Sequence, residues 1–247
     1  MPANLDVIRH LLLQKDVARH INSQDDSCVE IQGMTKPEVE AAEIELYGAN
    51  TGNCLRVSIA LEEACLRYRV RLLDLKNGEQ RGASHRSINP AGQVPTIIRR
   101  APGEPAFVLS QSNAILFYIA ELVPGSLLPL FDLAARARTF ERFFFFLTDV
   151  IGPSHAAFAL RQAGTADSVA YLDTRSMTAL GRAESYLAES RFVAGDNFTL
   201  ADIAAFTITL AYKRYMDWGS LPRLSQWYEQ VASRPAVERG LRAFREP

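Results

Sequence analysis

Three polar side chains stand together where a predicted strand gives way to a predicted helix. Thr51, Asn53 and Cys54 supply a hydroxyl, an amide and a thiol in the turn that follows the apolar strand at residues 44–48. A helix that begins directly after a strand leaves its first N–H groups unpaired and carries partial positive charge at that end. The spacing therefore predicts a cluster of hydrogen-bond donors that faces whatever ligand lies above the turn.

A second candidate binding element is the stretch Asn89-Pro-Ala-Gly-Gln-Val-Pro95. The Val94-Pro95 bond directly precedes a predicted strand, which is a typical place for a structural cis peptide. We expect Val94 to present its main-chain N–H and C=O outward, where they can pair with an extended peptide ligand. A plain turn before a strand is the alternative interpretation.

A third candidate lies at Leu109-Ser-Gln-Ser-Asn113, where a helix is predicted to begin. The N-terminus of a helix attracts a carboxylate, and Gln111 and Ser112 add an amide and a hydroxyl that suit the amino acid end of a ligand. The alternative is that Ser110 or Ser112 only caps the helix.

The elements that position these three motifs alternate between strands and helices. Apolar periodicity predicts the order β, α, β, α, β, β, α at residues 44–48, 53–65, 68–75, 82–88, 96–100, 106–109 and 111–122. Arg100-Ala-Pro-Gly-Glu-Pro105 carries turn residues, so we expect the last two strands to form an antiparallel hairpin. This pattern predicts a small α/β domain with a mixed four-stranded sheet.

Strand signals almost vanish after the Pro- and Gly-rich segment at residues 122–131. Helices are predicted at 133–150, 168–190, 200–216, 224–233 and 235–244, with a break at Gly152-Pro153. Thr199-Leu-Ala-Asp202 resembles a capping box before the apolar run that follows it. We therefore divide the chain into an N-terminal extension (1–42), an α/β domain (43–122), a linker (123–130) and an all-helical domain (131–247).

Composition excludes several classes of function. The formal net charge of the 247 residues is −1, which does not favour nucleic acid or a membrane surface as a partner. Four scattered histidines do not have the spacing of zinc ligands, so we expect no metal. Three cysteines without a C-x-x-C pair argue against a disulfide framework and favour a cytoplasmic location.

Taken together and in this order, the motifs resemble those of cytosolic glutathione transferases. "NPAGQVP" is similar to the cis-proline loop of that family, "LSQSNAILFYIAE" to its γ-glutamyl-binding helix start, and "FVAGDNFTLADIAAF" to the buried capping motif of its helical domain. The resemblance covers residues 43–245, and the stretches "LYGANTGNCLRVSIALEEA" and "TDVIGPSHAAF" indicate a bacterial branch near the nu and beta classes.

The resemblance implies a thioredoxin-like first domain, glutathione as co-substrate and a homodimer. Gln111 and Ser112 would hold the γ-glutamyl carboxylate, and Val94, next to Pro95, would pair with the cysteinyl backbone. Gln93 is a candidate for contact with the glycine end. His85 is a second candidate for that end. The thiol of glutathione then lies over the turn at residues 51–54.

Four residues compete for the role of stabilising the glutathione thiolate. Asn53 is in register with the catalytic asparagine of the nu-class motif and Thr51 with its threonine, so we expect Asn53 to act with help from Thr51. Tyr47 matches the tyrosine of the tyrosine-type classes, but a packed aromatic ring is the simpler interpretation. Cys54 lies one residue past the beta-class cysteine, and one step along a helix rotates a side chain by about 100°. The chain departs from the nu pattern at Asn50 and Gly52, where that class has prolines.

The function predicted from this resemblance is that of a glutathione-dependent enzyme. Its thiolate would attack an electrophilic carbon, as in a transferase, or a disulfide, as in a reductase. The Thr51/Asn53 pair favours reductase activity accompanied by modest transferase activity. The alternative is a binding or interaction module that keeps the fold without turnover, which the extension at residues 1–42 favours.

Overall fold

A mixed four-stranded sheet organises the first half of the protein. The computed structural model describes residues 42–163 and 166–245, apart from the side chain of residue 162. The strands are β1 (Glu43–Gly48), β2 (Tyr68–Leu72), β3 (Thr96–Arg100) and β4 (Phe107–Ser110), in the order β2-β1-β3-β4. Only β2 runs parallel to β1, and β3 and β4 form the predicted antiparallel hairpin, in which Thr96 faces Ser110.

Helices complete this α/β domain. They are α1 (Gly52–Glu63), α2 (Ala83–Arg86) and α3 (Ser112–Leu122), with a 3-10 turn at Glu79–Arg81. Leu46 of β1 and Ile97 of β3 are fully buried in one apolar core with Ile59 of α1 and Ile115 of α3. Leu46 and Ile97 are paired on neighbouring strands, so their side chains lie on the same face of the sheet. Helices α1 and α3 pack against this face and bury it.

The second half of the described chain is helical, as predicted. Its helices are α4 (Leu133–Phe145), α5 (Gly152–Ala163), α6 (Ala166–Gly181), α7 (Ala183–Tyr186), α8 (Leu200–Tyr212), α9 (Pro222–Ala232) and α10 (Pro235–Arg242). A sheet-containing domain followed by a helical one confirms the predicted fold class. The prediction for the extension falls on residues 1–42 and, except for residue 42, lies outside the described residues.

The predicted break at Gly152-Pro153 is wrong. A π-helical turn at Phe146–Ile151 joins α4 to α5, so the chain continues as helix through Pro153. A wider turn of this kind changes the hydrogen-bonding pattern ahead of the proline, whose missing N–H and ring would otherwise interrupt an α-helix. The stretch Leu133–Arg161 is the one helical segment of the described chain that is long and apolar enough to cross a bilayer, and 33% of its apolar window is buried. Length and composition alone are weak grounds for a membrane span.

Helix α8 forms the centre of the helical domain. Its residues from Leu200 to Thr209 are all buried, and Thr199 and Asp202 form the predicted capping box at its start. A helix that is apolar on every side is stable only when other helices surround it. Helix α8 contacts α1 of the first domain as well as α4 and α9, so it joins the two halves of the molecule.

The cysteines do not all behave as the sequence suggested. Cys54 is a free, buried thiol, whereas Cys65 is disulfide-bonded. Sequence analysis argued against a disulfide framework and did not predict that Cys65 is bonded. The cytoplasmic location stays a prediction, and the bonded Cys65 removes the cysteine argument for it.

Candidate functional site

The turn before α1 is built around Thr51, the N-cap of the helix. Its backbone is extended, and its Oγ1 accepts a hydrogen bond from the N–H of Cys54 at 3.3 Å. Its own N–H donates to the carbonyl of Ala49 at 2.7 Å. A hydroxyl that accepts from the backbone still has its proton to donate. The hydroxyl of Thr51 also hydrogen-bonds the side chain of Cys54, which opposes the effect of burial on the pKa of that thiol. Thr51 therefore starts the helix and carries a donor at the turn.

Asn53 lies in the first turn of α1 and is partly exposed. Its Oδ1 accepts a hydrogen bond from Nη1 of Arg56 at 3.2 Å. Because the carbonyl side of the amide is occupied, the Nδ2 group carries the remaining hydrogen-bonding capacity of the side chain as a donor. The structure thus places both predicted activators, Thr51 and Asn53, at the same helix start.

Cys54 points into the core instead. Its side chain is completely buried, and a Cβ atom added to Gly48 would lie 2.7 Å from Sγ of Cys54 and 3.0 Å from the ring of Phe244. Burial raises the pKa of the Cys54 thiol. A thiol with a raised pKa and no access to solvent is a poor nucleophile, so the structure does not support a catalytic Cys54.

Tyr47 contacts a different set of residues. It shares a face of β1 with Glu45, whose Oε2 lies 3.5 Å from the tyrosine hydroxyl, and its ring centroid is 6.2 Å from that of His85. Within the described residues no hydrogen bond joins the hydroxyl to Thr51 or Asn53. The structure favours the interpretation of Tyr47 as a packed aromatic side chain.

The proline loop has the conformation that its sequence predicted. The Val94-Pro95 peptide bond is cis. Two side chains stabilise the loop through hydrogen bonds to the carbonyl of Gln93. The donors are Nε2 of His85 at 2.9 Å and Nδ2 of Asn89 at 2.8 Å. His85 is buried and uses Nε2 for this bond, so it supports the loop instead of facing a ligand. Asn89, which sequence analysis did not single out, has the same role.

Val94 and Gln93 present the groups that an extended ligand would use. In the described part of the chain, the main-chain N–H and C=O of Val94 form no hydrogen bond with backbone or side chains. Val94 is partly exposed, and the side chain of Gln93 is exposed. Free main-chain groups in an extended segment are the requirement for pairing with a peptide backbone.

The start of α3 is strained and polar. Gln111 has φ of 79°, which is unusual for a residue other than glycine, and its Oε1 accepts from the N–H of Asn113 at 2.8 Å. Strained backbone of this kind clusters at ligand-binding sites. Ser112 is buried, and its Oγ accepts from Nη1 of Arg56 at 3.2 Å. Gln111, not a serine, is therefore the N-cap of α3.

One functional candidate was missed by the sequence analysis altogether. The guanidinium of Arg56 is buried and hydrogen-bonds Asn53 of α1, Ser112 of α3 and Thr207 of α8. Burial lowers the pKa of Arg56 to about 10, and burial together with this charge lowers the pKa of His155. The only sequence signal was a basic residue three positions after Asn53, within the mostly apolar run at residues 54–61.

Comparison with known proteins supports the assignment that this geometry suggests. The glutathione S-transferase N-terminal domain matches residues 42–121, and the glutathione S-transferase C-terminal domain matches residues 147–235. The chain belongs to the glutathione S-transferase family. Its place in a nu- or beta-like branch of that family stays a prediction.

Individual relatives agree with this family. The disulfide-bond oxidoreductase YfcG of Escherichia coli is 30% identical over 206 residues, which cover 80% of this chain and 94% of the relative. The disulfide-bond oxidoreductase YghU of the same organism is 29% identical and covers 80% of this chain and 73% of its own length. A glutathione transferase from Burkholderia graminis, solved with two glutathione molecules per subunit, matches with a TM-score of 0.72 and 27% identity. That match covers 87% of this chain and 92% of the solved chain.

Proposed function

We propose that the protein binds glutathione and stabilises its thiolate for attack on a disulfide, with conjugation to electrophilic carbon as a lesser activity. The observation that carries the proposal is the donor set at the start of α1, where Thr51 and Asn53 stand together and the neighbouring Cys54 is turned into the core. A site with donors but no accessible thiol of its own must take its sulfur from the co-substrate. Similarity to two relatives named disulfide-bond oxidoreductases favours the reductase activity.

Each end of glutathione has a place in this proposal. The γ-glutamyl carboxylate binds at the start of α3 through Gln111 and Ser112, where the N-terminus of the helix favours an anion. The cysteinyl backbone pairs with Val94, and the glycine end lies within reach of Gln93. The sulfur then falls at the donors of α1. Lowering the thiol pKa by about two units requires roughly 2.7 kcal/mol of preference for the thiolate, which a helix N-terminus and two donors can supply.

The reduction proceeds in two exchange steps. The first glutathione thiolate attacks one sulfur of the substrate disulfide, which releases a thiolate and leaves glutathione in a mixed disulfide. A second glutathione thiolate attacks the glutathione sulfur of that mixed disulfide. Glutathione disulfide forms and the second substrate thiolate leaves. Two glutathione molecules supply the two electrons, and no cysteine of the protein is oxidised.

The test compares Asn53→Ala with Cys54→Ala on a model mixed disulfide and a model aryl halide. Loss of a donor to the thiolate is expected to lower kcat/KM of Asn53→Ala by about 10- to 100-fold, since a hydrogen bond to a charged group contributes about 1.5–3 kcal/mol. Cys54→Ala removes a buried thiol that touches no substrate, so its kcat/KM is expected to stay within about twofold of wild type. Loss of both activities in Cys54→Ala alone would contradict the proposal. Glutathione binding without turnover on either substrate would favour a non-catalytic binding module.

We further propose that the protein is a homodimer. Several apolar side chains stand in solvent, among them Phe131 (85% exposed), Leu133 (80% exposed) and Phe144. Exposed apolar side chains mark a subunit interface where they form one contiguous patch, so these residues are the candidate contacts of the dimer. Sedimentation equilibrium is expected to give about twice the chain mass of 27.5 kDa, and a concentration-independent monomer would contradict the proposal.

A further inference from the structure

Arg56 is a buried cation, and its hydrogen-bond partners among the described residues are all neutral. Its side chain is 2% exposed, and in the described residues no carboxylate pairs with it. The four acceptors are Oγ1 of Thr207 at 3.2 Å from Nε, and Asn53 Oδ1, Ser112 Oγ and Asn113 Oδ1 at 3.2, 3.2 and 3.3 Å from Nη1. Burying a charge without a counter-ion costs several kcal/mol. An anion that binds near this guanidinium would offset part of that cost.

The guanidinium also fixes the orientation of the hydrogen-bonding groups of Asn53 and Ser112. Arginine donates and never accepts. Asn53 must therefore turn its carbonyl oxygen toward Arg56, which leaves the NH₂ group as its free donor. Ser112 likewise accepts with Oγ, so its own hydroxyl proton is free for another acceptor. One nitrogen of Arg56 thereby fixes a donor at the start of α1 and a donor at the start of α3.

Those two helix starts are the positions to which the proposed function assigns the thiolate and the γ-glutamyl carboxylate. A donor-only cation between them favours both anions by its charge and by the orientation of the groups that touch them. Asn53 and Ser112 are 59 residues apart in sequence but accept from the same atom. The two halves of the ligand site are therefore coupled through Arg56.

We propose that Arg56 is a positioning residue that orients Asn53 and Ser112 as donors and supplies the buried positive charge with which the site holds the thiolate and the γ-glutamyl carboxylate of glutathione. This inference rests on the proposed function, because it assigns the same ligand to the same helix starts. It adds a residue that touches neither substrate atom and acts through its neighbours.

The decisive variant is Asn113→Asp, which leaves Arg56 in place and neutralises it. A carboxylate at this position lies where Oδ1 of Asn113 now accepts from Nη1 at 3.3 Å, so it supplies the missing counter-ion. We expect the melting temperature to stay unchanged or rise, while the pKa of the bound glutathione thiol rises by about one unit. Affinity for glutathione and for S-methylglutathione is expected to fall about tenfold, a loss of roughly 1.4 kcal/mol.

The matched control is Asn197→Asp, the same substitution in an exposed loop before α8. Thiolate absorbance in the ultraviolet as a function of pH gives the thiol pKa, and titration calorimetry with S-methylglutathione isolates the carboxylate end from the sulfur. A residue with a structural role alone would change the melting temperature without moving the thiol pKa. If Asn113→Asp and Asn197→Asp give the same thiol pKa and the same affinities, the proposed role of Arg56 is wrong.

Substitution of Arg56 itself provides the second test. Arg56→Met removes the charge and is expected to reproduce the effects of Asn113→Asp, and Arg56→Lys is expected to recover part of the affinity because it keeps the charge. Equal thiol pKa values in the methionine and wild-type proteins would overturn the inference. Failure of the wild-type protein to bind glutathione would instead overturn the proposed function, and this inference with it.

Discussion

Replacement of Asp202 by alanine is expected to destabilise the protein by about 3–5 kcal/mol. The Asp202 carboxylate is completely buried at the start of α8 and accepts four hydrogen bonds. The donors are the N–H of Val193 at 3.0 Å, the N–H and Oγ1 of Thr199 at 3.0 and 3.2 Å, and Nε1 of Trp227 at 3.0 Å. Alanine would leave all four donors unsatisfied inside the helical domain.

The size of this effect follows from the number of elements that the carboxylate joins. Burial raises the pKa of Asp202 to about 6, so the group is ionised near neutral pH and its donors bind a full charge. It ties the loop at Val193 and the helix α9 at Trp227 to the first turn of α8. A total stability of about 5–15 kcal/mol is usual for a protein domain, so this loss is a large part of it.

Urea denaturation followed by circular dichroism measures the free energy of unfolding that Asp202→Ala loses. The control is Asp196→Ala, since Asp196 is exposed in the loop before α8 and its Oδ1 has one weak contact, at 3.5 Å from the N–H of Arg191. We expect the free energy of unfolding of this variant to lie within about 0.5 kcal/mol of the wild-type value. An Asp202→Ala protein as stable as Asp196→Ala would show that the buried network contributes little.

The local features of the site were predictable because short-range chemistry determines them. A threonine that caps a helix, a proline before a strand and a polar pair at a helix start each act over three or four residues. Sequence alone therefore placed Thr51 at the start of α1, Val94 before a cis proline and Ser112 at the start of α3. It also indicated that Cys54, one residue beyond Asn53, would face another direction, since successive helical residues are rotated by about 100°.

The contacts that join distant segments could not be predicted from the sequence. Arg56 reads as an ordinary surface residue of a helix, yet its partners Ser112 and Thr207 lie 56 and 151 residues away. Its burial depends on α3 and α8 closing over α1, which is decided by packing of the whole molecule. The contact of His85 with the loop could not be foreseen for the same reason, because only the folded structure shows that its Nε2 meets the carbonyl of Gln93.

The crossing of α10 over α1 leads to the second large prediction, that Gly240→Ala destabilises the protein by about 3 kcal/mol. A Cβ atom at Gly240 would lie 2.7 Å from Cα, 2.8 Å from N and 2.8 Å from Cγ1 of Ile59. Two of these atoms belong to the backbone of α1, so the clash can be relieved only by moving one helix. That movement would also break the bond from Oγ of Ser58 to the carbonyl of Gly240, now 2.8 Å long.

Gly181→Ala is the matched control for this prediction, since its helical neighbourhood has room for a methyl group. Gly181 is the last residue of α6, and the nearest atom to an added Cβ is Cδ2 of Leu221 at 3.9 Å. Alanine is the better helix former by about 1 kcal/mol, so Gly181→Ala is expected to be neutral or slightly stabilised, whereas Gly240→Ala loses stability despite the same gain. A fall in the urea midpoint of Gly240→Ala, without a fall in that of Gly181→Ala, is therefore the expected result. Equal shifts would mean that α10 moves away from Ile59 without cost. Because α1 also carries Asn53 and Arg56, such a displacement of α10 is expected to weaken glutathione binding together with stability.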